Sequence, residues 1–134
     1  MAGYSGTPLD KKLGLKPNQR IAIIGAPRGF DAELGPLPRG VTKPSAPKAA
    51  LDYAHIFVTD TDDLSRSFAP LASRLEPAGM LWVSWPKKSS KVETDLDENV
   101  IRRIGLEAGL VDVKVCAVNG VWSGLKFVRR LKDR

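Results

Sequence analysis

The chain has 134 residues, 43% of them hydrophobic and 27% charged, which predicts one globular domain over residues 1–134. A single cysteine and a single histidine exclude an intrachain disulfide, a paired-cysteine metal site and most catalytic triads. No run is apolar enough to span a membrane, and the net charge of +6 permits contact with anions without requiring it. We therefore expect a cytoplasmic protein without a metal or a membrane partner.

The chain opens with a predicted short helix followed by a buried strand. Thr7 is a candidate N-cap, Pro8 fits the first helical position, and Gly14 can close the helix in a left-handed conformation. Residues 21–26 are apolar at nearly every position. This pattern is typical of a strand in a parallel sheet that helices cover on both faces.

The segment from residue 28 to residue 53 has the weakest pattern, because its prolines interrupt long elements. A helical turn or two over residues 30–34 and a short edge strand over residues 40–43 are the predicted exceptions. A strand over residues 55–59 follows, which begins at His55.

The middle of the chain predicts two alternating units. Asp60 is one of several N-cap candidates for a helix that Pro70 should kink or split. After a turn at residues 77–79, residues 80–85 form a strand that is apolar on both faces and hence central. Asp95 and Glu98 fit a capping box for the next helix.

The last third of the chain predicts a β-hairpin around Asn119-Gly120, a strong turn signal between two strand-like runs. A plain two-residue loop gives a poor register. A β-bulge at Ser123-Gly124 improves it, because Val115 then lies opposite Leu125 and Val113 lies opposite Phe127.

These elements predict an α/β fold with a compact, Rossmann-like, mostly parallel sheet of about six strands that closes with an antiparallel hairpin. The layout resembles a reduced class I methyltransferase sheet. In it the strand that starts at Ile21 is central, residues 40–43 form an edge, and the final strand inserts beside residues 80–85.

Ligands of open α/β sheets bind at the carboxyl ends of the parallel strands. The predicted topology brings five segments to that end: the start of the first helix, the loop after the first strand, two further strand ends and the hairpin. The candidate ligand-binding residues are Ser5, Thr7, Gly25, Arg28, Asp60, Trp85, Lys87, Lys88, Trp122 and Ser123.

Each candidate also has a structural explanation. Gly25 can serve a turn, Asp60 can cap a helix, and Lys87 and Lys88 can be solvated residues after a buried strand. Trp82 and Trp85 lie on opposite faces of their strand, with Trp82 in the core. No nucleophile–base pair, metal set or carboxylate pair is assembled, so we predict no catalytic residue.

Several stretches carry a family resemblance: YSGTPLDKKLGLKP, LWVSWPKK, KVCAV and WSGLKFV. Over nearly the whole chain they resemble a small bacterial family catalogued as a domain of unknown function, which implies no activity. Class I methyltransferases carry an acidic, glycine-rich loop after the first strand and an acidic residue after the second. Here the corresponding stretches are GAPRGF and Lys43-Pro44, so we expect no bound cofactor.

Three functions are compatible with this sequence. The preferred one is a non-catalytic module that binds a small anionic molecule, or another protein, on a methyltransferase-like scaffold. The alternatives are a reduced transferase acting at the strand ends and a weak nucleic-acid binder that uses the lysine loop and the basic C-terminal residues. The sequence leaves the oligomeric state open.

Overall fold

The strands are β1 (Ile21–Ile24), β2 (Leu51–Phe57), β3 (Leu75–Pro86), β4 (Leu110–Ala117) and β5 (Trp122–Arg129), in one sheet of order β1-β2-β3-β5-β4. The helices are α1 (Leu9–Leu13), α2 (Phe30–Leu34), α3 (Thr61–Ala72) and α4 (Glu98–Glu107). They come from a computed structural model that describes residues 7–134. Within this range no helix has the length and apolar character needed to cross a membrane.

The predicted α/β fold is confirmed, with five strands instead of six. The β1-β2 and β2-β3 pairs are parallel, and β5 inserts beside β3 in the antiparallel sense, as expected. β1 is not central, because the predicted edge strand at residues 40–43 is reduced to a single parallel bridge between Arg20 and Thr42. Pro38 and Pro44 lie on either side of that segment and lack the backbone N–H groups that a longer ladder would use.

Two predicted interruptions take other forms. The turn at residues 77–79 is absorbed into β3 as an irregularity: Leu51 pairs with Leu75, whereas Tyr53 pairs with Met80. Pro70 does not split α3, which is continuous to Ala72. Pro70 removes one hydrogen bond, to the carbonyl of Arg66, but the helical bonding continues past it, because Ser73 N donates to Ala69 O at 3.0 Å.

The predicted hairpin is present, and its register is only partly as expected. Val115 lies opposite Leu125, but Asp112, not Val113, lies opposite Phe127. The extra residue is in the turn, since Val118 N donates to Trp122 O, and the bulge is at Val113 in β4 instead of at Ser123-Gly124. The loop of residues 119–121 is one residue longer than the two-residue loop. That extra residue shifts the register in the way that a bulge at Ser123-Gly124 was predicted to do.

Side chains from the two faces of the sheet form two hydrophobic cores. One face packs under α1 and α2 and includes Tyr53, Phe57 and Trp82. The other face packs under α3 and α4 and includes Val83 and Trp85. The tryptophans of β3 therefore face opposite layers, as strand parity predicts.

The amino ends of β1, β2 and β3 are held together by Arg20. Its guanidinium contacts Asp52 at 3.1 Å and Glu76 at 2.8 Å. The side-chain hydrogen bonds from Arg20 lower the pKa of Asp52 below its ordinary value. This arrangement ties the three parallel strands together at one end, and the loops that follow them meet at the other.

Candidate functional site

Loops from four parts of the chain meet at the carboxyl ends of β1, β2 and β3, and we call this region the strand-end rim: residues 25–29, 57–61, 86–88 and 118–122. β1 and β2 are so close there that a Cβ on Gly25 would lie 2.8 Å from Phe57 O. Lys87 N donates to Val121 O at 2.8 Å, which joins the end of β3 to the hairpin turn. Four of the five segments predicted to converge therefore meet here; the fifth, before α1, lies mostly outside the described residues.

An aromatic group occupies the α2 side of the rim. Phe57 makes an edge contact with Phe30 (centroids 4.9 Å apart) and another with Trp122 (5.2 Å). Phe30 and Phe57 are buried, whereas Trp122 is only partly buried. Trp122 thus presents part of a ring that is held from behind by packed aromatic side chains.

The hairpin turn is fixed over this group by Asn119. Its side-chain oxygen accepts from Val121 N and Trp122 N, both at 2.9 Å, and its amide donates to Glu33 on α2 at 3.0 Å. The sequence identified Asn119 as a turn residue, but the link to α2 across the rim has no local signal. The link orients Trp122 relative to the loop after β1.

Asp60 serves as a helix cap. Its carboxylate accepts from Asp63 N at 2.7 Å, and Asp95 reaches back from a distant loop to accept from Thr61 N at 2.8 Å. Asp95 therefore caps α3 and not α4. The N-cap of α4 is Asp97, so the capping box predicted for Asp95 and Glu98 does not form. Both carboxylates at this side of the rim are engaged by backbone donors.

Trp85 does not line the rim, contrary to the prediction. It is 7% exposed and packs in the α3–α4 core, because β3 continues to Pro86 and Leu96 covers that face. Ser123 lies opposite Trp85 in the first residues of β5 and is partly buried.

The remaining candidates surround the rim. Arg28 and Lys88 are exposed, and Lys87 is partly buried. Gly29 has a φ of +89° and open space beside it, so the loop after β1 leaves room at the start of α2. Thr7 is exposed just before α1, which packs against α2, and Ser5 lies outside the described residues.

A buried polar chain that the sequence did not reveal runs through the α1–α2 core. His55 Nδ1 is 2.9 Å from Tyr53 Oη, and His55 Nε2 is 2.6 Å from Ser84 Oγ. His55 lies in the middle of β2 and not at its start, and burial lowers its pKa to about 3. Burial also raises the pKa of Tyr53, so both groups are neutral at physiological pH.

Among residues 7–134 no group of three or more histidine, cysteine, aspartate or glutamate side chains is placed to hold a metal ion. His55 and Ser84 form a histidine–serine pair, but both are 0% exposed. A substrate at the strand-end rim would not reach them.

No protein-family model and no curated protein matches the chain, so the resemblance to a small bacterial family remains a prediction. Solved structures do match. Magnesium protoporphyrin IX methyltransferase from Synechocystis PCC 6803 with bound SAM has a TM-score of 0.58 at 15% identity, over 91% of this chain and 74% of that one. The ribosomal protein L11 methylase from Lactobacillus delbrueckii subsp. bulgaricus has a TM-score of 0.58 at 15% identity, over 91% of this chain and 75% of that one.

Fibrillarin from Aeropyrum pernix, in complex with S-adenosyl-L-methionine, has a TM-score of 0.56 at 15% identity, over 94% of this chain and 70% of that one. At these identities the likeness concerns the fold. The chain therefore has the methyltransferase-like α/β fold that its element order predicted.

Proposed function

We propose that this protein is a non-catalytic binding module whose strand-end rim takes a small, planar, anionic ligand. The observation that carries the proposal is the position of Trp122 at the start of β5, where its partly exposed ring packs edge-on against Phe57 with centroids 5.2 Å apart. An indole in this setting can stack on a planar ring. Ligands of open α/β sheets bind at this end of the strands.

The charge and polarity of the rim support an anion with an apolar portion. Arg28, Lys87 and Lys88 supply positive charge from two of its loops. Val121 in the hairpin turn is 38% exposed, so apolar surface is also available. A nucleotide or a related aromatic phosphate combines both properties.

Binding is preferred to catalysis because three side chains capable of proton chemistry are otherwise engaged. Asp60 and Asp95 cap α3, and His55 is sealed in the core. A general base must reach its substrate within hydrogen-bonding distance. None of these three side chains is free to do so at the rim.

A reduced transferase is the second candidate, favoured by fold likeness to structures with bound SAM. Methyl transfer needs a placed donor more than a catalytic base. The loop here is GAPRGF, and beyond β1 the structure of residues 7–134 has a single bridge, at Thr42, which Lys43 follows. Neither stretch carries the acidic residue that class I methyltransferases have there, which is why binding is preferred.

Thermal unfolding in the presence of nucleotides, sugar phosphates, S-adenosylmethionine and S-adenosylhomocysteine tests the proposal. We expect at least one phosphate-bearing aromatic compound to raise the melting temperature. Trp122→Leu and the double variant Lys87→Ala/Lys88→Ala should each abolish that rise, whereas Arg66→Ala, at an exposed position on α3, should preserve it.

The same assay separates the two candidates. A rise given only by the two S-adenosyl compounds would favour the transferase. No rise with any of the compounds, or a rise that survives in both rim variants, would refute the rim as a ligand site.

A further inference from the structure

Four lysines gather on the α1 face of the sheet, away from the residues assigned to the rim, and we call them the lysine cluster: Lys12, Lys16, Lys114 and Lys126. Lys114 of β4 and Lys126 of β5 lie directly opposite each other in the ladder. The Lys114 ammonium donates to Lys12 O at 3.2 Å, which brings β4 against the end of α1.

The register fixes which face the cluster occupies. Lys126 also pairs with Trp82 of β3, and the Trp82 indole donates to Leu13 O at 2.8 Å. Trp82, Lys126 and Lys114 therefore form a row across three strands, on the face where α1 packs. Lys16 follows α1, and its charge acts on Lys126 together with that of Lys114.

This arrangement is electrostatically unfavourable in the isolated protein. Like charges directly opposite each other in a sheet are destabilising. Lys126 is partly buried, and this burial is the main cause that lowers its pKa. Repulsion from Lys114 and Lys16 lowers the pKa further. Among residues 7–134 no carboxylate lies within 4.0 Å of any of the four ammonium groups, whereas Arg20 and Arg102 each have two such partners.

We propose that the lysine cluster is a binding surface for the phosphate backbone of a nucleic acid, contacted without sequence selectivity. Lysine carries a flexible point charge that suits phosphate contacts, and it lacks the rigid, planar donor fork of arginine. The cluster is drawn from α1, the segment after it and two strands, so a chain of repeated phosphates can engage all four ammonium groups together. This site is independent of the rim ligand.

The surroundings of the cluster disfavour a membrane. Surface-bound proteins insert an amphipathic helix or large apolar side chains beside their lysines. α1 has five residues, which is too short for a helix of that kind. Beside Lys114 the exposed Val113 supplies one apolar side chain at the bulge, and the exposed Val115 lies opposite Leu125, on the α4 face of the sheet.

Fluorescence anisotropy with a labelled oligouridylate of about 20 nucleotides and a DNA duplex of similar length provides the test, read from low to moderate salt. Lys114→Gln/Lys126→Gln is compared with Arg66→Gln/Arg103→Gln. The control removes the same charge from exposed positions on α3 and α4. Thermal unfolding of both variants verifies that they are folded.

For the wild-type protein we expect the logarithm of the association constant for the single strand to fall with the logarithm of salt concentration, with a slope of about −3 for four contacts. Lys114→Gln/Lys126→Gln should weaken binding by about tenfold or more at low salt and reduce the slope by about 1.4. The control variant Arg66→Gln/Arg103→Gln should change the affinity by less than about twofold and should leave the salt slope close to that of the wild-type protein.

The proposal is overturned if neither oligonucleotide binds at low salt, or if the two double variants lose affinity equally. It is also overturned if polyglutamate competes as well as the oligonucleotide at equal charge. That result would identify an acidic protein surface as the partner. Because the rim variants are not used, this outcome does not depend on the proposed small-ligand site.

Discussion

At the residue scale, His55 is the group whose chemistry differs most from its behaviour in water. It is 0% exposed and hydrogen-bonded to Tyr53 and Ser84, and no carboxylate contributes to the shift of its pKa to about 3. An unfolded histidine titrates near pH 6.5. Between about pH 3 and pH 6.5, therefore, His55 binds a proton in the unfolded chain but not in the folded protein.

This difference predicts a pH-dependent stability. The folded pKa is depressed, so stability is complete above about pH 6.5 and falls as the pH is lowered through that value. From about pH 7.5 to 5.5 we expect the free energy of unfolding to decrease by about 1.4 kcal/mol, measured by urea denaturation. The chain has one histidine, and carboxylates titrate mostly below this window.

His55→Gln supplies the control, since it removes the only side chain that titrates within the window. The variant should be less stable at every pH, because the polar chain is disrupted, but its stability should be nearly the same at both values. Equal stability of the wild-type protein at the two pH values would contradict the burial of a neutral imidazole.

The sequence predicted some of these residue environments. Alternation along β3 separated Trp82 from Trp85, and burial in the two layers confirms it. The pairing of His55 with Ser84 joins residues 29 positions apart on neighbouring strands. It depends on the register between β2 and β3, which no local pattern contains.

At the element scale, two carboxylates cap one helix. Asp60 accepts from Asp63 N and Asp95 accepts from Thr61 N, so both stabilise the start of α3. Asp60→Ala and Asp95→Ala should each lower the free energy of unfolding by about 1 kcal/mol, measured by chemical denaturation. Glu93→Ala changes an exposed carboxylate in the same loop and should stay within about 0.5 kcal/mol of wild type. A loss for Asp60→Ala alone would remove Asp95 from the cap.

α4 packs on the sheet through a glycine. A Cβ on Gly105 would lie 2.1 Å from Phe127 Cε1, and Phe127 is 0% exposed with its ring against Phe68. Gly105→Ala should therefore destabilise the protein by about 1–3 kcal/mol, although alanine is the better helix former. Gly120→Ala has nothing within 4 Å and should be nearly neutral, as chemical denaturation can check. A stabilised Gly105→Ala would show that α4 lies further from the sheet.

Sequence patterns located the elements better than the contacts between them. The Asp60 cap located the start of α3, and Asn119-Gly120 identified the hairpin. The Asp95 cap was assigned to the wrong helix because Asp95 is near the start of α4 in sequence and near the start of α3 only in space. Thr94 donates to Thr59 O at 2.6 Å, and this long-range contact positions Asp95 at α3.

At the scale of the whole molecule, the fold gathers four loops at one end of three parallel strands. Arg20 ties the opposite ends together, and the hairpin turn is joined to both α2 and the end of β3. The sequence predicted this convergence from topology alone. The prediction was wrong for Trp85, whose side chain is buried in the α3–α4 core. Of the two tryptophans that the sequence assigned to the rim, Trp122 is the partly exposed one.

The three tryptophans allow the central claim to be tested by one nuclear magnetic resonance titration. The indole N–H signals of ¹⁵N-labelled protein are followed as ATP, S-adenosylmethionine, S-adenosylhomocysteine and a sugar phosphate are added in turn. We predict that at least one of them shifts the Trp122 signal in a saturable manner. The signals of Trp82, whose indole is bonded to Leu13 O, and of buried Trp85 should remain in place. A Trp122 signal that none of the four compounds moves would contradict the assignment of the strand-end rim as a ligand site.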